Sequence, residues 1–116
     1  LKKLWPAPIS VILDCPLKRF FYLHRGTNGL AFRLPAKKSL RDLLEETGPL
    51  VAPSANPEGL LPVKNIRKAK QYFGGKIDFY ADGGNLESSP STLLKIKGNK
   101  ITMLRKGKIG YNLNIC

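Results

Sequence analysis

Apolar residues in this chain fall in short runs, each closed by proline, glycine or a small polar residue. After the breaker Trp5-Pro6-Ala7-Pro8, the run Ile9-Ser10-Val11-Ile12-Leu13-Asp14 predicts a strand. Residues 1–4 ahead of it read as the last turn of a helix. Leu30, Phe32 and Leu34 alternate with Ala31 and Arg33, predicting a second strand that Pro35 ends. Ser39-Leu40-Arg41-Asp42 has the form of a capping box, and Leu40, Leu43 and Leu44 then mark one face of a helix closed by Gly48 and Pro49. Residues 50–52 predict a short buried strand that delivers the polar loop Pro53-Ser54-Ala55-Asn56-Pro57. Val63, Ile66, Ala69, Tyr72 and Phe73 predict a second helix over residues 63–73, stopped by Gly74-Gly75. Residues 77–81 predict another strand, and Asp82-Gly83-Gly84-Asn85 a turn. Residues 93–96 and 101–104 predict a hairpin with Gly98-Asn99 as a type II′ turn. Residues 108–116 read as a tail or linker.

The pattern is that of one small α/β domain, and composition narrows its partners. At 116 residues and 42% apolar the chain can pack a core. No run approaches a membrane span, and no signal segment opens the chain. Cys15, Cys116 and the lone His24 give neither a disulfide framework nor metal-ligand spacing, which fits a cytoplasmic protein. Twenty Lys and Arg against eight Asp and Glu give a net charge of +12, which favours anionic substrates or polyanions such as RNA. Lys64, Arg67 and Lys68 gather on one side of the second helix, a face for RNA phosphates or, more plainly, a solvated one. Phe20, Phe21 and Tyr22 sit among Lys18, Arg19 and Arg25; such a stretch can stack on bases, but first reads as aromatics anchoring a loop to the core.

The familiar nucleotide-binding glycine loops are absent, and Asp14, Asp78 and Asp82 read as strand-edge or turn residues. Two hydroxyl-rich loops and two strand-associated arginines remain, a donor set suited to phosphate or carboxylate. By themselves these residues define a basic anion-binding domain. From its own residues, the Ser-Ala-Asn loop reads as a turn before it reads as a site.

The ordered set of motifs carries more. Trp5-Pro6-Ala7-Pro8-Ile9-Ser10, Ala31-Phe32-Arg33-Leu34-Pro35, Pro53-Ser54-Ala55-Asn56 with Gly59, Pro90-Ser91-Thr92 and Leu104-Arg105-Lys106-Gly107 together resemble the YrdC-like family, the threonylcarbamoyl-adenylate synthases. The resemblance runs from Trp5 to Gly107, so residues 1–107 read as a partial domain of that family. It implies an α/β (α+β) fold: a twisted, open mixed sheet with a few flanking helices and a concave basic face. It also implies condensation of L-threonine, bicarbonate and ATP into threonylcarbamoyl-AMP and pyrophosphate, with Mg2+ on the triphosphate. The product serves tRNA modification together with other proteins that act on the adenylate.

Carried over onto this sequence, Pro53, Ser54 and Asn56 contact the phosphate and sugar region. Ser91 holds the threonine or adenylate end, Thr92 orients that loop, Arg105 pairs with phosphate or carboxylate, and Arg33 lines the same cavity. No residue is assigned to a metal. Ala7 stands where the family has glycine, and Ser10 replaces its threonine while keeping a hydroxyl. The family's Lys-Arg motif for threonine and the triphosphate, which precedes the Trp-Pro motif, has no counterpart here. The chain is therefore expected to bind ATP and threonine weakly or not at all by itself. The competing readings are a non-catalytic double-stranded RNA- or tRNA-binding module of the same fold and, less favoured without accompanying domains, carbamoyl transfer in hydrogenase maturation.

Overall fold

A computed structural model describes residues 1–87, 89–107 and 109, arranged as two compact units: residues 1–48 with 89–116, and residues 49–88. The first unit holds a four-stranded sheet of β1 (Ile9–Asp14), β2 (Gly29–Phe32), β3 (Thr92–Lys97) and β4 (Lys100–Arg105), in the order β2-β1-β3-β4. β1 runs parallel to β3, and the two outer pairs are antiparallel. The architecture is a mixed α+β sheet with few helices.

Alternation along the strands decides the core. Ile9 and Val11 on β1, Thr92 and Leu94 on β3, and Leu4 ahead of β1 are buried, with Trp5, Leu13, Ile96, Ile101 and Met103 packed against them. The breaker before β1 is built into this core, since the Trp5 indole Nε1 donates to the Ile9 carbonyl at 2.8 Å. Residues 1–4 form a turn, with Leu4 N–H donating to the Leu1 carbonyl. Ala7 keeps a negative φ, so an alanine in this position meets no backbone strain. Gly98 takes φ +57° and Asn99 does not turn positive, as a type II′ hairpin requires.

Between β1 and β2, a 3-10 turn (Lys18–Phe20) leads into the single-turn helix α1 (Phe21–His24). Phe21 and Tyr22 do not anchor this loop, being 61% and 70% exposed, while Phe20 is half-buried. His24 does. It is buried, its Nδ1 accepts from Gly26 N–H at 3.2 Å, and this fixes the tautomer so that Nε2 donates to the Leu17 carbonyl. His24→Ala removes the acceptor and leaves the Leu17 and Gly26 backbone groups unmatched; a stability loss of about 1–3 kcal/mol in urea unfolding is expected.

β2 stops at Phe32, so Arg33 and Leu34, expected in this strand, lie beyond its end, and the Leu34 carbonyl instead accepts from Ala7 N–H. Helix α2 (Lys38–Thr47) forms where the leucine period places it, and ends at Gly48 with φ +74°. Its capping box does not form. The helix begins one residue before Ser39, which puts that hydroxyl inside the first turn, and Asp42 pairs with Lys38 at 2.9 Å. None of the α2 residues is buried.

In the second unit, α3 (Ile66–Phe73) starts later than the apolar period suggests, because the Asn65 side chain accepts from Lys68 N–H and caps it there. The two strands expected in this unit are absent. Val51 is 70% exposed and Phe79 80%, and neither residues 50–52 nor 77–81 join a ladder. Pro49 and Pro53 remove donors at both ends of the first run. In the second, Tyr80 Oη donates to the Gly74 carbonyl and draws the segment back toward the end of α3. Residues 108 and 110–116, expected as a tail, lie outside the described residues.

Candidate functional site

One irregularity in the sheet builds the site. In the β3–β4 ladder Leu94 faces Met103, yet Leu93 faces Arg105, so Leu104 is an extra residue on β4. Ile101 and Met103 point to the core face, and unbroken alternation would send Arg105 there as well. The bulge turns Arg105 to the opposite face, level with Leu93. Leu93 is also the partner of Ser10 on β1, so Ser10 and Arg105 meet at one level of that open face.

Ser91, one residue before the buried Thr92, points the same way and closes the group. Ser10 Oγ and Ser91 Oγ share a hydrogen bond of 2.8 Å. Arg105 donates from Nε to the Ser91 carbonyl at 3.2 Å and from Nη2 toward Ser91 Oγ at 3.4 Å. Its side chain is otherwise exposed, and a guanidinium has five N–H donors in a planar fork. Two adjacent hydroxyls and a held, solvent-facing cation are the kind of donor set that a phosphate or carboxylate accepts hydrogen bonds from.

Thr92 supports the corner from beneath. Its fully buried Oγ1 donates to the Ile109 carbonyl at 2.6 Å and accepts from Gly107 N–H at 3.1 Å, so the hydroxyl is spent inside the protein. Arg33 is exposed one residue past Phe32, whose partner is Val11, so the chain leaves the sheet near the level of Ser10 on the edge away from β4. The structure therefore brings Ser91 and Arg105 together. It adds Ser10, whose signal in the sequence is a lone hydroxyl between two apolar strand positions.

Pro53, Ser54 and Asn56 belong to the second unit. Pro53 and Ser54 are exposed; Asn56 N–H donates to the Ser54 carbonyl at 2.9 Å, and Val63 N–H to the Ala55 carbonyl at 3.0 Å closes the loop. Asn56 Nδ2 donates to the Pro57 carbonyl, which fixes the amide orientation. Its Oδ1 is then a buried acceptor with no hydrogen-bond partner among the described residues.

Of the basic trio, Arg67 and Lys68 are on α3 while Lys64 precedes the helix, and two of the three are occupied by internal contacts. Lys68 lies over the Tyr72 ring at 4.8 Å, and Lys64 pairs with Glu87 at 2.9 Å. That hydrogen bond and the Lys64 charge hold the Glu87 carboxyl below its ordinary value. Lys64→Ala removes both causes, so Glu87 is expected to titrate at higher pH, as a carbon-detected NMR titration reads directly.

Among the described residues no three His, Cys, Asp or Glu side chains assemble as a metal-ligand group, and no helix is long and apolar enough to cross a membrane.

The family model Sua5_yciO_yrdC, described as "Telomere recombination", matches residues 1–107. The threonylcarbamoyl-AMP synthase of Marinobacter nauticus is 35% identical over 97 residues, covering 79% of this chain and 50% of that protein. The threonylcarbamoyl-AMP synthase of Idiomarina loihiensis is 30% identical over 101 residues, covering 84% and 53%. A crystal structure of Pyrococcus abyssi Sua5 complexed with L-threonine superposes with a TM-score of 0.76 at 28% identity, covering 91% of this chain and 32% of that one. The chain thus spans about half the length of these bacterial relatives. It belongs to the Sua5–YciO–YrdC family, whose relatives here are threonylcarbamoyl-AMP synthases.

Proposed function

We propose that this chain contributes the adenylate-phosphate part of a threonylcarbamoyl-AMP synthase site, for the reaction of L-threonine, bicarbonate and ATP to threonylcarbamoyl-AMP and pyrophosphate. The observation that carries the reading is Arg105, turned by the bulge onto the Ser10–Ser91 corner. The carbamate formed from threonine and bicarbonate attacks the α-phosphorus of ATP, and the bond to the β-phosphate breaks. Both partners are anionic, so the work is positioning and charge neutralisation. Arg105 takes the phosphate or carboxylate charge, Ser91 and Ser10 orient it, and Thr92 keeps the loop in register. Arg33 adds a cation from the far edge of the sheet. In the second unit, taken by itself, Ser54 offers an exposed hydroxyl and Asn56 an amide to the sugar or phosphate region, as the family resemblance implies, with Pro53 stiffening the loop. Mg2+ enters on the triphosphate as part of the substrate; the described residues supply no carboxylate cage for it, and no step is assigned to it.

The charge of +12 favours a second reading, a tRNA- or double-stranded RNA-binding module that keeps the fold, with Lys64, Arg67 and Lys68 on phosphates. Cytoplasmic tRNA modification fits either role. Pyrophosphate release with threonine and bicarbonate, measured beside RNA affinity as a function of salt, separates them. Nucleotide binding that falls in Ser91→Ala supports the synthase reading. RNA affinity indifferent to Ser91→Ala, together with nucleotide binding that Ser91→Ala and Arg105→Ala both leave unchanged, overturns it.

A further inference from the structure

We propose that the turn at residues 17–25 is a stacking site for unpaired bases of a single-stranded nucleic acid. The proposal does not rest on the synthase reading, since it uses none of the residues assigned there. Aromatic side chains ordinarily withdraw from water, yet here Phe21 and Tyr22 stand 61% and 70% exposed, with Leu17 exposed beside them. Exposed rings on a frayed loop would mean little, but this loop is fastened.

His24 is buried and bonded through both ring nitrogens, and Arg25 N–H returns to the Phe21 carbonyl at 2.7 Å from a left-handed residue with φ 46°. Thr27 Oγ1 donates to the His24 carbonyl at 2.6 Å. The Phe21 and His24 rings meet in a T-shaped contact with centroids 5.7 Å apart, which sets the Phe21 orientation while most of that ring stays exposed. The turn is therefore a rigid platform that holds two rings out to solvent, and little ordering entropy remains to be lost on binding.

Charge selects the occupant. No acidic residue lies between Cys15 and Asn28, while Lys18, Arg19 and Arg25 flank the rings and are all exposed. The Arg19 guanidinium lies over Phe20 at 4.8 Å and adds a flat cationic surface to the same turn. Aromatic faces interleaved with cations at this spacing match bases and phosphates of one strand. A bilayer is less well served: α1 is four residues long, too short for an amphipathic helix lying in an interface.

Fluorescence anisotropy with a short labelled oligoadenylate tests this on the chain as it stands. The double variant Phe21→Ala/Tyr22→Ala is expected to bind about 10-fold or more weakly, with the slope of affinity against salt unchanged. Tyr22→Ala alone keeps the Phe21–His24 contact and is expected to weaken binding while the turn stays folded. Lys18→Ala/Arg19→Ala is expected to flatten the salt slope. Phe21→Trp is expected to lose indole fluorescence as bases stack on it. Unchanged affinity in both ring variants, or no quenching of the tryptophan, overturns the proposal. So does ring-dependent binding to phosphatidylserine vesicles without ring-dependent binding to the oligonucleotide.

Discussion

Gly107→Ala is expected to cost about 3 kcal/mol of stability, or to prevent folding of the sheet unit outright. A Cβ at this position would lie 2.3 Å from the Pro90 carbonyl oxygen, 2.3 Å from Thr92 N and 2.5 Å from the Ser91 carbonyl carbon. All three are backbone atoms, so no flexible side chain can swing aside. The exit of β4 would have to peel away from the entry of β3. Peeling breaks the Gly107 N–H bond to Thr92 Oγ1, and with it the hold on a residue that is fully buried beside Ile9 and Leu94. The same shift separates Ser91 from Arg105. Gly75→Ala is the control: nothing lies within 4 Å of the added carbon there, and its φ is not positive. Urea unfolding compares the two. A Gly107→Ala protein as stable as wild type would show that the close approach of β4 to residues 90–92 is not required.

Arg105→Ala is expected to weaken binding of AMP or ATP by about 30-fold, the equivalent of one hydrogen-bonded charge worth about 2 kcal/mol. The fold is expected to survive, because the side chain is exposed and contributes to no core contact. Arg105→Lys separates charge from geometry. It keeps the cation but cannot grip the Ser91 carbonyl and hydroxyl while presenting further donors, so an intermediate affinity is expected. Calorimetric titration reads both variants. Equal affinity in Arg105→Ala and wild type would remove this residue from the proposed phosphate site.

How much of this was legible in the sequence varies from element to element. β1 and the β3–β4 hairpin were, because a period of two residues bounded by proline or glycine is a local property of those segments. The runs at 50–52 and 77–81 carry the same apolar signal and yet form no strand. Apolar character marks what a segment would bury, whereas a strand also needs a ladder partner, which only the three-dimensional arrangement provides. Helix α2 was legible from its leucines. Its cap was not, since Ser39 falls inside the first turn and the Lys38–Asp42 pair takes up the carboxylate.

The bulge left no signal at all. A single extra residue at Leu104 changes no composition or period that a reader could detect, yet it decides which face Arg105 serves. Family resemblance reached Ser91 and Arg105 as separate motifs, and only the register places them with Ser10. His24 shows the opposite limit. A lone histidine suggests no chemistry from sequence, and its role as the anchor of residues 17–27 depends on two backbone groups that no pattern reveals.

The Ser10–Ser91–Arg105 corner is the proposed seat of the nucleotide phosphate. Amide chemical-shift mapping of the chain during titration with AMP tests it most directly. The account predicts perturbations concentrated at Ser10, Ser91, Thr92 and residues 105–107, absent when adenosine replaces AMP. Perturbations confined to other parts of the chain, or identical maps for AMP and adenosine, would contradict it.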